Sequence, residues 1–254
     1  MQLRLLRHAT VVLQMGTHNL LVDPMLSPKG VMGPVNGSPN MRPNPLVDLP
    51  VDSVDLDGLL KGITGVLVTH THRDHFDAEA ERLILKNTPL FCQPQDENML
   101  TDIGFNTVFS VEDTLTRQDI TITRTGGKHG SGEIGQKMGA VSGFILEAKN
   151  EPKVYIAGDT IWCVDVRQAL EEHRPDIVIV NAGRARFLLG GRITMSVCDI
   201  GHIAKQLPSA RIVAVHMEAF NHCLLTRRKL REYVIEHQLT ERVLVPEDGE
   251  EITF

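Results

Sequence analysis

The sequence has 254 residues, 42% of them hydrophobic, enough for a globular core that needs neither a disulfide nor a metal merely to fold. Its 26 basic and 32 acidic residues leave a net charge of -6, which attracts neither nucleic acid nor an anionic membrane over long range. Cys92, Cys163, Cys198 and Cys223 lie far apart with no C-x-x-C pair. No apolar run reaches the roughly 18 to 20 residues of a membrane span, and the N-terminus lacks a signal-peptide core, so the expectation is a cytoplasmic protein with reduced thiols.

In chain order, residues 2–6, 11–15 and 18–22 read as three short strands, the last closed by Asp23-Pro24, where proline stops pairing. Residues 24–50, rich in Pro, Gly and Asn and without periodicity, read as one long irregular loop, a wall or lid of a site or a surface excursion. Apolar strands and amphipathic helices then alternate. Gly65 to Thr69 is a buried strand, and Asp77 caps a helix running to about Lys86. Strands follow at 90–92, 107–111, 120–124, 140–148 and 153–157. Asp165, with Gln168 three residues on, has the spacing of a capping box and opens a helix. Ile177 to Val180 is another buried strand, Ser196 with Asp199 marks a helix start, 212–215 is a strand, and Thr226 to about His237 is the last helix. Strands near 243–245 and 251–254 close the chain. The pattern predicts an α/β fold of four layers, helix, sheet, sheet, helix, with two mixed sheets and residues 1–254 forming a single domain.

The densest chemistry lies in Thr69-His70-Thr71-His72-Arg73-Asp74-His75, directly after the apolar strand. Three imidazoles and a carboxylate within six residues supply nitrogen and oxygen donors suited to zinc-like metals. In a loop released from strand alternation, His70 and His72 can face one point, and Asp74 and His75 a neighbouring one. A segment kept only for packing would need partners for each of these polar groups.

With this motif the chain resembles the metallo-β-lactamase superfamily along essentially its whole length. The resemblance implies His129, isolated among Gly127 and Gly130, as the third ligand of a first metal. It makes Asp159, in Gly158-Asp159-Thr160 at a strand end, the carboxylate bridging two metals. His216, ending the 212–215 strand, joins Asp74 and His75 on the second. Aspartate at 159 stands where several antibiotic-cleaving members carry cysteine, which argues against a true β-lactamase. There is no room for the extra helical domain of glyoxalase II types, nor any basic arm like that of tRNA-processing members. His8-Ala9 and Asp23-Pro24 are similar to features of the ascorbate-6-phosphate lactonase-like and N-acyl phosphatidylethanolamine phospholipase-like branch.

The implied function is a metal-dependent hydrolase that cleaves a small ester, lactone or phosphoester with a metal-bound hydroxide at a dinuclear site. The cofactors are two divalent ions, Zn first, with Mn or Fe suiting the same donors. Asp74 would be both ligand and base. His222, six residues past His216, could protonate a leaving group, hold the substrate, or be a surface histidine ahead of the last helix. His8 and Asp23 could brace the ligands from behind or belong to the core. Arg184 and Arg186, with Arg192, could bind an anionic substrate, as could Arg227, Arg228 and Arg231, although a solvated face explains the helix group as well. Phe187 to Leu189 with Thr194-Met195 would equally suit an acyl pocket. The expected partner is a small-molecule substrate, not nucleic acid, and a homo-oligomer is compatible with the chain. Two alternatives remain: a di-iron oxidoreductase-type site, whose relatives carry an extra flavin-binding domain, and a catalytically silent metal- or ligand-binding protein.

Overall fold

The computed structural model describes all 254 residues and contains two seven-stranded sheets. In the first, Glu251–Thr253 (β14) lies at the edge beside Gln2–Arg7 (β1), followed by Thr10–Met15 (β2), His18–Val22 (β3), Gly65–Val68 (β4), Leu90–Cys92 (β5) and Val108–Ser110 (β6). The second runs Val243–Leu244 (β13), Arg211–Val215 (β12), Ile177–Asn181 (β11), Val154–Ile156 (β10), Gly143–Ala148 (β9), Ile120–Thr125 (β8) and Thr114–Arg117 (β7). Each sheet has three antiparallel and three parallel pairings, the antiparallel ones at the β14 end of the first sheet and the β7 end of the second.

The parallel strands β4 and β11 are buried along their whole length, which is why they read as unbroken Val/Ile/Leu runs without alternation. One core cluster fills the space between the sheets, with Leu5, Leu13 and Leu67 meeting Phe144, Ile156 and Val213. Outside the first sheet pack Ser53–Lys61 (α1), Ala78–Leu83 (α2) and Glu97–Asp102 (α3), through Leu56, Ala80 and Leu100. Outside the second pack Val164–His173 (α5), Val197–Gln206 (α6) and Arg227–Glu236 (α7), through Leu170, Ile203 and Leu230. The four-layer αββα sandwich expected from the sequence is the observed architecture. A further helix, Gly132–Met138 (α4), buries no residue of its own and follows the His129 loop.

Several elements differ from the sequence expectation. Helix α2 stops at Leu83, short of Lys86, because Ile84 turns to extended backbone. Helix α5 begins at Val164 after Cys163, with no side-chain cap bond, so the Asp165/Gln168 spacing is not a capping box. Asp165 instead lies in the first turn, where a carboxylate favours the helix dipole. The Ser196/Asp199 capping box does form. Helices α1, α3 and α4 and strand β7 were not expected; each is short, polar or weakly buried. Residues 24–50 form no helix or strand, only a bridge between Met32 and Asn44. The four cysteines are unpaired, and no helix is long and apolar enough to cross a membrane.

Candidate metal centre

The strand ends converge. His70, His72, Asp74 and His75 follow β4, His129 follows β8, Asp159 follows β10 and His216 follows β12 directly. Two further residues arrive from the first sheet, His8 after β1 and Asp23 after β3. Three of these adopt left-handed backbone, His8 at φ 61°, Asp23 at 44° and His216 at 67°. That conformation costs about 1–2 kcal/mol for a residue with a side chain, so neighbouring bonds must hold it. The His216 N–H donates to the His8 carbonyl at 2.7 Å, and the Thr10 hydroxyl donates to the Asp23 carbonyl at 2.8 Å. Gly158 is required at φ 67°, since a Cβ there would come within 2.7 Å of the Ser142 carbonyl.

The donor atoms form two sets. In one, His72 Nδ1 lies 3.0 Å from His70 Nε2 and 3.3 Å from His129 Nε2, and His129 Nε2 lies 3.5 Å from Asp159 Oδ2. In the other, His75 Nε2 and His216 Nε2 are 3.2 Å apart, Asp159 Oδ1 is 3.4 and 3.2 Å from them, and Asp74 Oδ2 is 3.6 Å from His216 Nε2. Ligands about 2.0–2.2 Å from a common ion at tetrahedral or octahedral angles sit about 3.0–3.6 Å from one another, the range of these spacings. The donors of His70, His72 and His129 lie within 4.8 Å of one another, as do those of His8, Asp74, His75 and His216 and those of His70, His75 and Asp159. The two oxygens of Asp159 face different sets.

Partners behind the rings fix which nitrogen is free. His75 Nδ1 donates to Asp23 Oδ2 at 2.8 Å and His129 Nδ1 to the Ile193 carbonyl at 2.9 Å, leaving each Nε2 lone pair forward. Asp23 also accepts from the Thr69 N–H and hydroxyl, at 2.7 and 2.8 Å. Cys223 Sγ lies 3.5 Å from His216 Nδ1, and the Asn181 amide donates to Asp159 Oδ1 at 2.7 Å. His8 is fully buried, its ring 3.6 Å from that of His216 and 5.2 Å from Phe220, with Nε2 3.3 Å from Asp74 Oδ2. Sequence reasoning missed Thr69, Asn181 and Cys223. Asn181 had a signal, a lone amide ending an apolar strand.

The electrostatics suit a cation. Burial alone would push up the carboxyls of Asp74 and Asp159, yet His216 and His8 hold Asp74 well below the usual range. His216, His75 and His129 do the same for Asp159. Burial lowers His8, His70 and His129. His75 is raised: burial opposes its charge, but Asp159 and Asp23 outweigh it. Every salt bridge of Asp23, Asp74 and Asp159 is to a histidine, with no lysine or arginine among them. These ionised, buried groups are compensated by protons on imidazole or by metal.

His72, Asp74, His129, Asp159 and His222 open onto a cavity of about 190 Å³, whose other walls are Val35, Arg73, Met138, Phe187, Ile193 and Phe220. His222 is buried, its Nδ1 has no partner, and burial lowers its pKa to about 4. Arg184 and Arg186 do not line this cavity. Arg184 is exposed, at φ 46°, and borders a separate depression with Arg192 and Lys229, while Arg186 Nε bonds the Phe187 carbonyl. Arg192 pairs with Asp199, and Arg227 with Glu218 and Asp248; Arg228 pairs with Glu232 and Arg231 with Glu247.

Residues 18–217 match the family model of the beta-lactamase superfamily domain. The chain is 36% identical to the UPF0173 protein YddR of Bacillus subtilis, with 100% of both chains covered. It is 25% identical to a UPF0173 metal-dependent hydrolase of Methanosphaera stadtmanae, over 72% of this chain and 75% of that protein. Two solved structures are each 37% identical and cover 100% of this chain and 99% of theirs. They are a possible metal-dependent hydrolase from Veillonella parvula, TM-score 0.95, and the isothiocyanate hydrolase from Delia radicum gut bacteria, TM-score 0.94. The chain belongs to the beta-lactamase superfamily and, within it, to the UPF0173 family of metal-dependent hydrolases.

Proposed function

We propose that this chain hydrolyses a small, uncharged electrophile at a site of two divalent ions, with isothiocyanates as the favoured substrates and esters or lactones as the second class. The observation that carries the dinuclear reading is Asp159, whose Oδ2 lies with the His70, His72 and His129 set and whose Oδ1 lies with the His75 and His216 set. The nitrogen-rich donors favour zinc, and manganese or iron would suit them as well.

When bound, such ions would polarise the heteroatom bonded to the carbon under attack and make water acidic enough to ionise near neutral pH. The chain's own groups do the rest. His70, His72, His129 and Asp159 would hold one ion, and Asp74, His75, His216 and Asp159 the other. Asp74 reaches the cavity and would take the proton of the attacking water. His222, neutral because of its burial, would hold the substrate by a hydrogen bond from an otherwise unpartnered ring rather than act as a cationic acid. Val35, Met138, Phe187, Ile193 and Phe220 would pack against a compact apolar substituent and exclude bulk water.

Cavity chemistry supports an uncharged substrate over a phosphoester. Arg73 is the only cationic side chain on its wall, and it already donates to the Gly33 carbonyl at 2.9 Å. The likeness to an isothiocyanate hydrolase over the full length favours that class. The balanced reaction is R–N=C=S plus water giving R–NH2 and carbonyl sulfide: water oxygen bonds to carbon, the C–N bond breaks, and both protons pass to nitrogen. Pairing of β14 with β1, which ties the two termini together, supports reading 1–254 as one domain.

The test is elemental analysis of protein purified without added metal, with hydrolysis of an isothiocyanate, an ester, a lactone and a phosphodiester by wild type and Asp74→Asn. Two metals per chain, turnover of the uncharged substrates and its loss in the variant are expected. Turnover of the phosphodiester alone, or no metal after reconstitution, would sink the reading.

A further inference from the structure

The wall of the cavity is fastened by one buried amide. Asn221 lies between His216 and His222 and uses its whole hydrogen-bonding capacity on the 24–50 loop. Its Oδ1 accepts from the Val35 N–H at 3.1 Å and the Asn44 amide at 3.0 Å, and its Nδ2 donates to the Ser38 hydroxyl at 2.5 Å and the Asn40 carbonyl at 2.7 Å. Its backbone adds two more bonds, N–H to Asn44 Oδ1 at 2.8 Å and carbonyl from the Asn40 amide at 2.7 Å. A primary amide has two donor hydrogens and two acceptor lone pairs, and all four are taken.

The same segment holds the second wall. The His222 carbonyl accepts from the Arg186 N–H at 3.1 Å, and the Leu188 N–H donates to the Gly37 carbonyl at 2.7 Å, joining the 186–192 loop to the 24–50 loop. Val35 and Phe187, one from each loop, face the cavity. The segment of 27 residues from Pro24 to Pro50 has no helix or strand; Arg7 holds its two ends by donating to the Met25, Ser27 and Val47 carbonyls, and Asn221 holds the middle, from Val35 to Asn44.

We propose that Asn221 is a positioning residue that determines substrate size, by stapling the Val35 wall to the segment carrying His216 and His222. The cavity is thereby a fixed enclosure rather than one covered by a swinging lid. Aspartate has the same shape but no donors, so it loses both Nδ2 bonds and sets a charge against the Asn40 carbonyl. Asn221→Asp therefore separates hydrogen bonding from packing.

The inference rests on the cavity being the substrate site, and two readouts keep the two readings apart. The first is the rate at which trypsin cuts after the exposed Lys29, at the entrance of the loop, which needs no substrate. The second is the ratio of kcat/KM for a short over a bulky member of whichever class, isothiocyanate or ester, the wild type turns over. Asn221→Asp and Asn221→Ala should retain their metal content, be cut about tenfold faster, and lose about tenfold in short-over-bulky preference. A variant that merely destabilises the protein would lower both substrates alike and leave the ratio in place. If either variant fails to fold, Ser38→Ala, which removes one acceptor at the loop, should shift both readouts the same way to a smaller degree. Unchanged trypsin cutting and an unchanged ratio in folded, metal-loaded variants would overturn the proposal. If the wild type turns over neither class, the functional reading fails, and the staple still stands or falls on the trypsin rate.

Discussion

The Asp23 carboxylate lies directly behind His75, its Oδ2 accepting from ring Nδ1 at 2.8 Å while ring Nε2 faces His216 and Asp159. The same carboxylate receives the Thr69 N–H and hydroxyl, so it also fixes the turn that sends His70 forward. One side chain from the end of β3 thus holds both ends of the His-rich motif. Asp23→Asn keeps the shape but can no longer accept all three bonds with a charged oxygen. Metal affinity should fall about 10- to 100-fold, as for other groups behind metal-ligating histidines. Competition against a chromophoric chelator measures it, and an unchanged affinity would remove Asp23 from the metal-holding machinery.

His8 braces the Asp74 side of the same set. Its ring packs between His216 and Phe220, and Nε2 approaches Asp74 Oδ2 at 3.3 Å, while Nδ1 is buried without a partner. The His8 donor nitrogen lies within 4.8 Å of the donor atoms of Asp74, His75 and His216, while its ring stacks on that of His216 at 3.6 Å, closer than the 5.1 Å between His75 and His216. His8→Phe should fill the space, keep Tm near wild type and yet weaken binding of the second metal about tenfold. Loss of both metals together, or a large fall in Tm, would show that His8 serves packing instead.

Legibility in the sequence followed local density of information. The His70 to His75 motif, the apolar parallel strands and the Ser196 cap could be read because donors, β-branched runs and cap residues lie close together along the chain. The four-layer order followed from the strand and helix rhythm. The remaining candidate ligands, His129, Asp159 and His216, are single residues at strand ends, and only resemblance to a family picked them out. Arg184 lies outside the cavity, on the α6–α7 side beside Arg192 and Lys229, a placement that composition does not reveal. Asn221 was invisible for a different reason: all its side-chain partners lie more than 170 positions away in sequence.

Removing metal should cost more stability at alkaline pH than near neutrality. In the stripped site His75 carries the compensating proton; burial disfavours that charge, but Asp159 and Asp23 raise its pKa well above the usual value. A group raised on folding contributes stability in full below its unfolded pKa, about 6.5, and loses it as pH rises through the folded value. Metal-loaded protein needs no such proton, and metal binding itself strengthens as ligands deprotonate. The Tm gap between as-purified and chelator-treated protein should therefore widen from pH 6 to pH 9. A gap that stays constant or narrows would mean that the stripped site is neutralised in some other way.

Gly183 offers a test of how tightly His216 is placed. A Cβ built at this position would lie 2.2 Å from the His216 carbonyl and 3.0 Å from Cys223 Sγ, and the first of these is backbone that cannot swing aside. His216 already holds φ at 67°, with its N–H bonded to the His8 carbonyl, so a push on its carbonyl strains a turn that carries the ring. Overpacking of this kind costs about 1–3 kcal/mol in stability. Displacing the ring should also spread the 3.2 Å spacings to His75 Nε2 and Asp159 Oδ1 and weaken the second metal more than the first. Gly183→Ala is therefore expected to lower Tm and to bind about one metal per chain, with His70, His72 and His129 still competent. Two tightly bound metals in the variant would mean that the His216 turn is softer than its backbone geometry requires.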